Sequence, residues 1–219
     1  MNTRIIIFAK APVAGLAKTR LIPALGADGA ARLARQMLMS TLNASMSADT
    51  GPVELCMSPA PGAIEWRHLP LPPGIERSDQ GEGDLGQRMA RAARRGLVAN
   101  GHEQVLLIGT DCPQLSPELL RRTARQLVDS DCLLHPTIDG GYALLGLRRF
   151  HTSLFEHMPW STDRVAAITR ERIARLGWRC VLGERLQDID EPHDLFWLPA
   201  AWAEQLHGYP TENNPHVRT

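Results

Sequence analysis

The chain has 219 residues, 43% hydrophobic and 22% charged, which are the proportions of an ordinary globular protein and exclude the disordered, collagen-like and membrane-embedded classes. A chain of this length buries roughly 70 to 75% of its unfolded surface, ample for a self-supporting core. Its 24 Lys and Arg balance 24 Asp and Glu, so no overall field attracts a polyanion. The scattered pairs Arg94-Arg95, Arg121-Arg122 and Arg148-Arg149 do not make the basic stripe that nucleic-acid binding requires.

In chain order, residues 4–9 are a β-branched run without helical period and predict a buried strand, followed by a loop with Pro12 and Gly15 and an amphipathic helix from about Asp28 to Ala44. Val53–Met57 predicts a second strand, and the Pro- and Gly-rich stretch from Ser58 to Gly74 an irregular crossing. A helix is expected over Asp84–Ala99 with Asp84 as N-cap, then a continuous apolar strand over Gln104–Ile108. Ser116-Pro117-Glu118 supplies a cap, a proline preset for the first turn and a carboxylate at the positive end of the helix dipole, so a helix should run from Pro117 to about Asp129. Cys132–Ile138 and Tyr142–Leu147 flank Asp139-Gly140-Gly141, which is hairpin chemistry. A helix over Thr162–Leu176, a strand over Arg179–Leu182 and a last helix over Pro192–Gln205 complete the series. In that last helix Trp197 and Trp202 are expected to pack on the sheet or on a partner subunit, which leaves a homodimer open.

Strands alternating with helices imply an α/β domain with a mostly parallel sheet, helices on both faces and one β-hairpin. No internal repeat or linker divides it, so residues 1–207 are read as one domain and 208–219 as a loose tail rich in Pro, Asn and Thr. Four cysteines far apart, with no C-x-x-C, indicate neither a zinc site nor a disulfide framework and fit a reducing cytoplasm. The apolar run at Ile5 ends at Lys10, short of an export signal, and nothing approaches the ~20 residues of a membrane span.

Ligands of parallel sheets bind at the carboxyl ends of the strands, and the chemically capable residues gather at those places. Only two basic residues are lysines, Lys10 and Lys18, and both lie in the loop after the first strand. That loop lacks the glycines of a P-loop, since Pro12 and Ala17 stand in their positions, and it lacks G-x-G-x-x-G. It remains a turn with Gly15 that carries Lys10, Lys18, Thr19 and Arg20, suited to the phosphates of a nucleotide. Asp111, in Gly109-Thr110-Asp111-Cys112-Pro113, should project into the crevice because Ser116 already caps the next helix; its carboxylate is then available to a divalent cation. Asp190 is either a second ligand or the N-cap of the last helix. Asp139 is either a plain turn residue or a group that binds substrate hydroxyls and takes the acceptor proton. Gly140, Gly141, Tyr142, Trp160, Ser161 and Thr162 could line an acceptor pocket, the aromatics offering rings and Tyr142 a hydroxyl. Gln80, Gly81 and Arg88, in the Gly-rich stretch before the second long helix, are either nucleotide contacts or ordinary helix-start chemistry. No nucleophile triad or H-E-x-x-H spacing is present, Cys112 has no evident base, and His135 is expected to be a satisfied core or crevice histidine.

The motifs F-A-K-A-P-x-x-G-x-A-K-T-R-L (8–21), Q-G-x-G-D-L-G-x-R-M (80–89), G-T-D-C-P-x-L (109–115), D-G-G-Y-x-L-x-G-L (139–147), W-S-T (160–162) and D-I-D-x-P-x-D-L (188–195) together resemble the bacterial DUF2064 family. Its members are described as glycosyltransferase-like, or radical-SAM/selenodomain-associated transferase 1. The resemblance runs from residue 5 to about 198 and implies a Rossmann-like GT-A (nucleotide-diphospho-sugar transferase) fold, a nucleotide-sugar ligand held with Ala9, Lys10 and the following loop, and Mg2+ or Mn2+ at Asp111 and Asp190. Lys18 and Arg20 resemble the phosphate-binding loop of the related nucleotidyltransferases. Two reactions are therefore carried forward: glycosyl transfer from a nucleotide-diphospho-sugar to a small-molecule hydroxyl, with Asp139, Lys18 and Asp111 catalytic, and nucleotidyl transfer from a nucleoside triphosphate to a sugar or acid phosphate, which needs no base. A nucleotide-sensing protein without turnover is the third reading.

Overall fold

The computed structural model describes residues 2–99, 101, 103–204 and 206; the expected loose tail at 208–219 lies outside them. Seven strands form one sheet: β1 (Thr3–Lys10), β2 (Val53–Ser58), β3 (Glu76–Asp79), β4 (Gln104–Ile108), β5 (Cys132–Pro136), β6 (Tyr142–Leu147) and β7 (Cys180–Leu182), in the order β3-β2-β1-β4-β6-β5-β7. Only β6 runs antiparallel to its neighbours, entering between β4 and β5 as the second arm of the expected hairpin. The carboxyl ends of the other six strands therefore share one edge with the start of β6.

Side chains alternate across each strand, so each face of the sheet needs its own cover. Ile5, Ile7 and Ala9 of β1 join Leu106, Ile108 and Leu133 against α1 (Ile22–Ala48) and α3 (Pro117–Leu127). Ile6 joins Val105, Leu107, Leu134 and Leu145 against α2 (Leu85–Arg94) and α4 (Val165–Arg175). The expected helix caps form as the sequence specifies. Asp84 and Gln87 exchange side-chain and backbone hydrogen bonds in a capping box, and Ser116 Oγ accepts from Leu119 N at 3.2 Å.

Several expected boundaries shift, each for a physical reason. Gly26, at φ 68°, breaks the regular helix of α1 and sets Ile22–Leu25 apart from the amphipathic stretch that follows. Strand β3, absent from the sequence reading, is a polar edge strand whose residues show no apolar signal; Ser78 Oγ in it donates to Glu54 Oε1 at 2.6 Å. The last helix does not run from Pro192 to Gln205. A 3-10 turn over Pro192–Trp197 ends at extended Leu198, and Pro199 starts a separate short turn, α5 (Ala200–Ala203). Trp197 is 49% exposed and stacks edge-on with Phe196 instead of covering the sheet, whereas Trp202 packs with a third core group built on Leu21, Leu33, Ile189 and Leu195. No described helix is long and apolar enough to cross a membrane.

Candidate active site

The third core group determines what meets at the strand ends. Leu21, after the first loop, and Ile189, between two aspartates, are both fully buried in it. Burying them draws the polar residues beside them together over a separation of some 170 positions. A backbone bond from Ile189 N to Asp111 O at 2.8 Å fastens the 188–190 segment to the loop after β4.

Lys18 lies at this junction. Its backbone is left-handed, at φ 48°, an uncommon conformation for a residue with a Cβ and one that costs on the order of 1–2 kcal/mol. The conformation starts the 3-10 turn Thr19–Leu21 and turns the side chain inward, where it is only 6% exposed. The ammonium is 2.5 Å from Asp111 Oδ1 and 4.0 Å from Asp190 Oδ1, and it donates to the carbonyl of Ile189. Arg20 Nη1 donates to the other oxygen of Asp190 at 2.6 Å. The carboxylates themselves stay 53% and 41% exposed to solvent at the carboxyl edge of the sheet.

Asp190 is therefore not the helix cap. Glu191 takes that position, in a capping box with Asp194, whose Oδ2 also accepts from Asp190 N at 3.1 Å. Asp188, which carried no assigned role in the sequence, sits in the same acidic region. Desolvation, first, and then the nearby charges of Asp139, Asp194 and Asp111 push its carboxyl up to about 6. The D-I-D spacing made two acids visible; only packing shows which of them is desolvated. Cys112 is buried, and its thiol is pushed up to about 12 by that burial.

The expected acceptor residues form a second body beside this one. Gly140, at φ 91°, lies against the backbone of Asp163 so closely that a Cβ would meet its carbonyl oxygen at 2.0 Å. Gly140 O accepts from Ala166 N at 2.9 Å, and the rings of Tyr142 and Trp160 meet edge to face with centroids 6.4 Å apart. The hairpin turn and the Trp160-Ser161-Thr162 loop are thus one unit, with Ser161 and Thr162 exposed and Thr162 Oγ1 donating to Pro159 O at 2.8 Å. Asp139 Oδ1 accepts from Gly141 N at 2.9 Å and from Thr137 Oγ1, so this carboxylate organises its own turn. One expectation is corrected here: the Tyr142 hydroxyl faces Met89 Sδ at 3.9 Å in the core beneath α2, and burial raises its pKa. Its phenol is thus turned into the core, away from the exposed Ser161 and Thr162.

The remaining expected nucleotide contacts divide. Gly15 forms the exposed turn of the first loop, Thr19 and Lys10 are exposed, and Lys10 joins no ion pair among the described residues. Gln80 is only 6% exposed, and its Nε2 donates to Ala9 O at 3.1 Å and Cys56 O at 3.0 Å, bridging the ends of β1 and β2. It is a strut, not an exposed contact. Gly81 N donates to Asp79 Oδ1 at 2.9 Å, while Arg88 Nε donates to Gly83 O at 2.8 Å and stiffens the same loop. His135 is 2% exposed and bonds Thr123 Oγ1 at 2.9 Å and Glu184 O at 3.0 Å, the satisfied core histidine that was expected.

Known structures place this arrangement in a wider group. The chain is 26% identical to a candidate nucleotide-diphospho-sugar transferase from Desulfovibrio desulfuricans G20, with a TM-score of 0.84, over 100% of this chain and 91% of that one. It shares its fold with a CMP:2-keto-3-deoxy-manno-octonic acid synthetase solved with CTP, at TM-score 0.56 and 10% identity, over 94% of this chain and 100% of the other. It also shares its fold with the 2-C-methyl-D-erythritol 4-phosphate cytidylyltransferase of Thermus thermophilus, at TM-score 0.50 and 20% identity, over 89% and 95% of the two chains. No curated protein matches the sequence. The expected α/β architecture, that of the nucleotide-diphospho-sugar transferases, is therefore the one the chain adopts. A family model described as an uncharacterized protein conserved in bacteria, DUF2064, matches residues 41–162, a narrower stretch than the motifs suggested but more than half of the chain, and the chain belongs to that family.

Proposed function

We propose that the protein transfers a glycosyl group from a nucleotide-diphospho-sugar to a hydroxyl acceptor, using Mg2+ or Mn2+. The observation that carries this reading is the meeting of the Lys18 ammonium with Asp111 and Asp190 at the carboxyl edge of the sheet. That edge is where parallel α/β sheets bind ligands. The likeness to the Desulfovibrio candidate nucleotide-diphospho-sugar transferase supports the ligand class.

Among the described residues no three His, Cys, Asp or Glu side chains form a ready cation cage. Two carboxylates suit a hard cation that takes its remaining ligands from water and substrate phosphates, and Asp188, held high by burial and neighbouring negative charge, marks a region with surplus charge to neutralise. Asp111 and Asp190 would hold the ion, which when bound would screen the charge that develops on the departing diphosphate. Lys18, with Arg20 beside it, would meet the same diphosphate from the protein side. Asp139 keeps its turn through Oδ1, leaving Oδ2 to accept the proton of the acceptor hydroxyl. Gly140, Gly141 and the exposed Ser161 and Thr162 would shape the acceptor pocket.

Nucleotidyl transfer is the second reading. It is favoured by the engagement of Asp139 in its own turn, because attack by a phosphate oxygen requires no base. Product identity separates the two. Incubation with Mn2+ and UDP-, GDP- and dTDP-sugars should release nucleoside diphosphate, whereas nucleoside triphosphates with sugar phosphates should release pyrophosphate under the second reading. Release of neither, with thermal stabilisation by nucleotide, would overturn turnover in favour of sensing. Asp111→Asn should abolish metal-dependent release with the unfolding temperature within a few degrees of the parent; undiminished turnover in that variant would remove the metal role.

A further inference from the structure

We propose that Cys132 and Cys180 form a modification site: a dithiol that hydroperoxides convert to a disulfide, at the opposite edge of the sheet from β3. The pair stands on register. Cys132 of β5 lies directly opposite Cys180 of β7 in a parallel ladder. Neighbouring strands are about 4.7–4.9 Å apart, inside the ~4.4–6.8 Å that a disulfide requires between Cα atoms. Directly paired residues project to the same face, and both cysteines belong to the core group beneath α4. All four cysteines of the chain are free thiols, and the other two, Cys56 and Cys112, are buried on β2 and after β4 without a cysteine opposite them.

The two thiols are unequal in a way that suits sequential oxidation. Cys132 is fully buried, whereas Cys180 is half-buried and lines an open groove of about 530 Å3 together with Arg170, Glu171, Ile173, Ala174 and Trp178. A small oxidant can reach Cys180 through that groove but not Cys132. Cys180 Sγ donates to Val181 O at 3.6 Å and Cys132 Sγ to Arg179 O at 3.9 Å; the neighbouring Cys132 thiol, first, and then the Arg170 charge lower the Cys180 thiol. Access therefore makes Cys180 the thiol that meets the oxidant first and Cys132 the neighbour that resolves it.

The chemistry balances. Cys180 thiolate attacks one peroxide oxygen, the O–O bond breaks, and the released hydroxide or alkoxide takes a proton, leaving a sulfenic acid. Cys132 sulfur then attacks Cys180 sulfur, the S–O bond breaks and water departs with the Cys132 proton. Two thiols lose two electrons in all, and one hydroperoxide is reduced by two. This site stands independently of the proposed transferase reaction, since none of its residues touches the Lys18 cluster.

The reduced full-length chain, titrated with hydrogen peroxide, alkylated, denatured and mapped by mass spectrometry, tests the proposal. The expected result is loss of two of the four thiols, with one intramolecular cross-link joining the Cys132 and Cys180 peptides, two hydrogens lighter than their sum and reversed by dithiothreitol. Cys132→Ala should trap a sulfenic acid at Cys180, captured by dimedone. Prior oxidation of Cys56 or Cys112, cross-links only between chains, or four intact thiols at peroxide doses that oxidise free glutathione would each overturn it. The cross-link readings come from the parent protein and hold whether or not the variant folds.

Discussion

Replacing Lys18 with methionine separates a ligand-binding role from a structural one. Methionine keeps most of the apolar stem in a position where the lysine side chain is only 6% exposed, and removes the ammonium alone. The lost hydrogen bond from the charged ammonium to Ile189 O is worth about 1.5–3 kcal/mol, and the lost ion pairs add little because Asp111 and Asp190 are 53% and 41% exposed and solvent already screens them. A total of about 1.5–3 kcal/mol corresponds to a fall in unfolding temperature of roughly 3–12 °C for a chain of this size. If the ammonium meets a diphosphate, a charge-assisted bond of about 1.5–3 kcal/mol is also lost, which weakens binding about 10- to 150-fold. Calorimetric titration of UDP, GDP and dTDP into parent and Lys18→Met proteins, beside thermal unfolding, reads both quantities. A lowered unfolding temperature with unchanged affinity for every nucleotide that binds the parent would refute the phosphate role and leave Lys18 as a structural tie.

Two further perturbations address the surroundings. Gly140→Ala places a Cβ 2.0 Å from Asp163 O at a φ of 91°, so the hairpin turn and the Trp160 loop must part; a loss of about 2–5 kcal/mol is expected in denaturant titration, with acceptor-dependent turnover reduced and nucleotide affinity retained. Equal stability would show that the two loops are not held by this contact. His135 is 2% exposed and its pKa is lowered chiefly by burial. The unfolded chain therefore binds this proton more readily, so the contribution is complete above the usual histidine value near 6.5 and is lost as pH falls through the lower folded value. Unfolding temperature measured from pH 7 to pH 4 should fall less steeply in His135→Gln than in the parent, and parallel slopes would contradict the assignment.

Local structure was largely readable from residue pattern. The β-branched run of β1, the caps at Asp84 and Ser116 and the turn at Asp139-Gly140 each act through neighbours a few positions away, and each formed where expected. The errors also have local causes. β3 escapes the residue pattern because an edge strand needs no apolar face, and the expected last helix meets Pro199, whose ring stops it. Other assignments turned on contacts no pattern encodes: Gln80 became a strut between two strand ends, Tyr142 turned its hydroxyl to Met89, and Glu191 displaced Asp190 as cap.

The sequence by itself determined the class of fold, the strand-end loops that carry charge and the identities of Lys18, Asp111 and Asp190. Tertiary structure alone decided that the three meet, because their approach depends on burying Leu21 with Ile189 and on the bond from Ile189 N to Asp111 O. It also decided that Asp188 is the desolvated acid and that Cys132 faces Cys180. Periodicity reports which side of an element is apolar. Which distant side chains share a space follows from how those apolar sides pack, and that is a property of the assembled sheet.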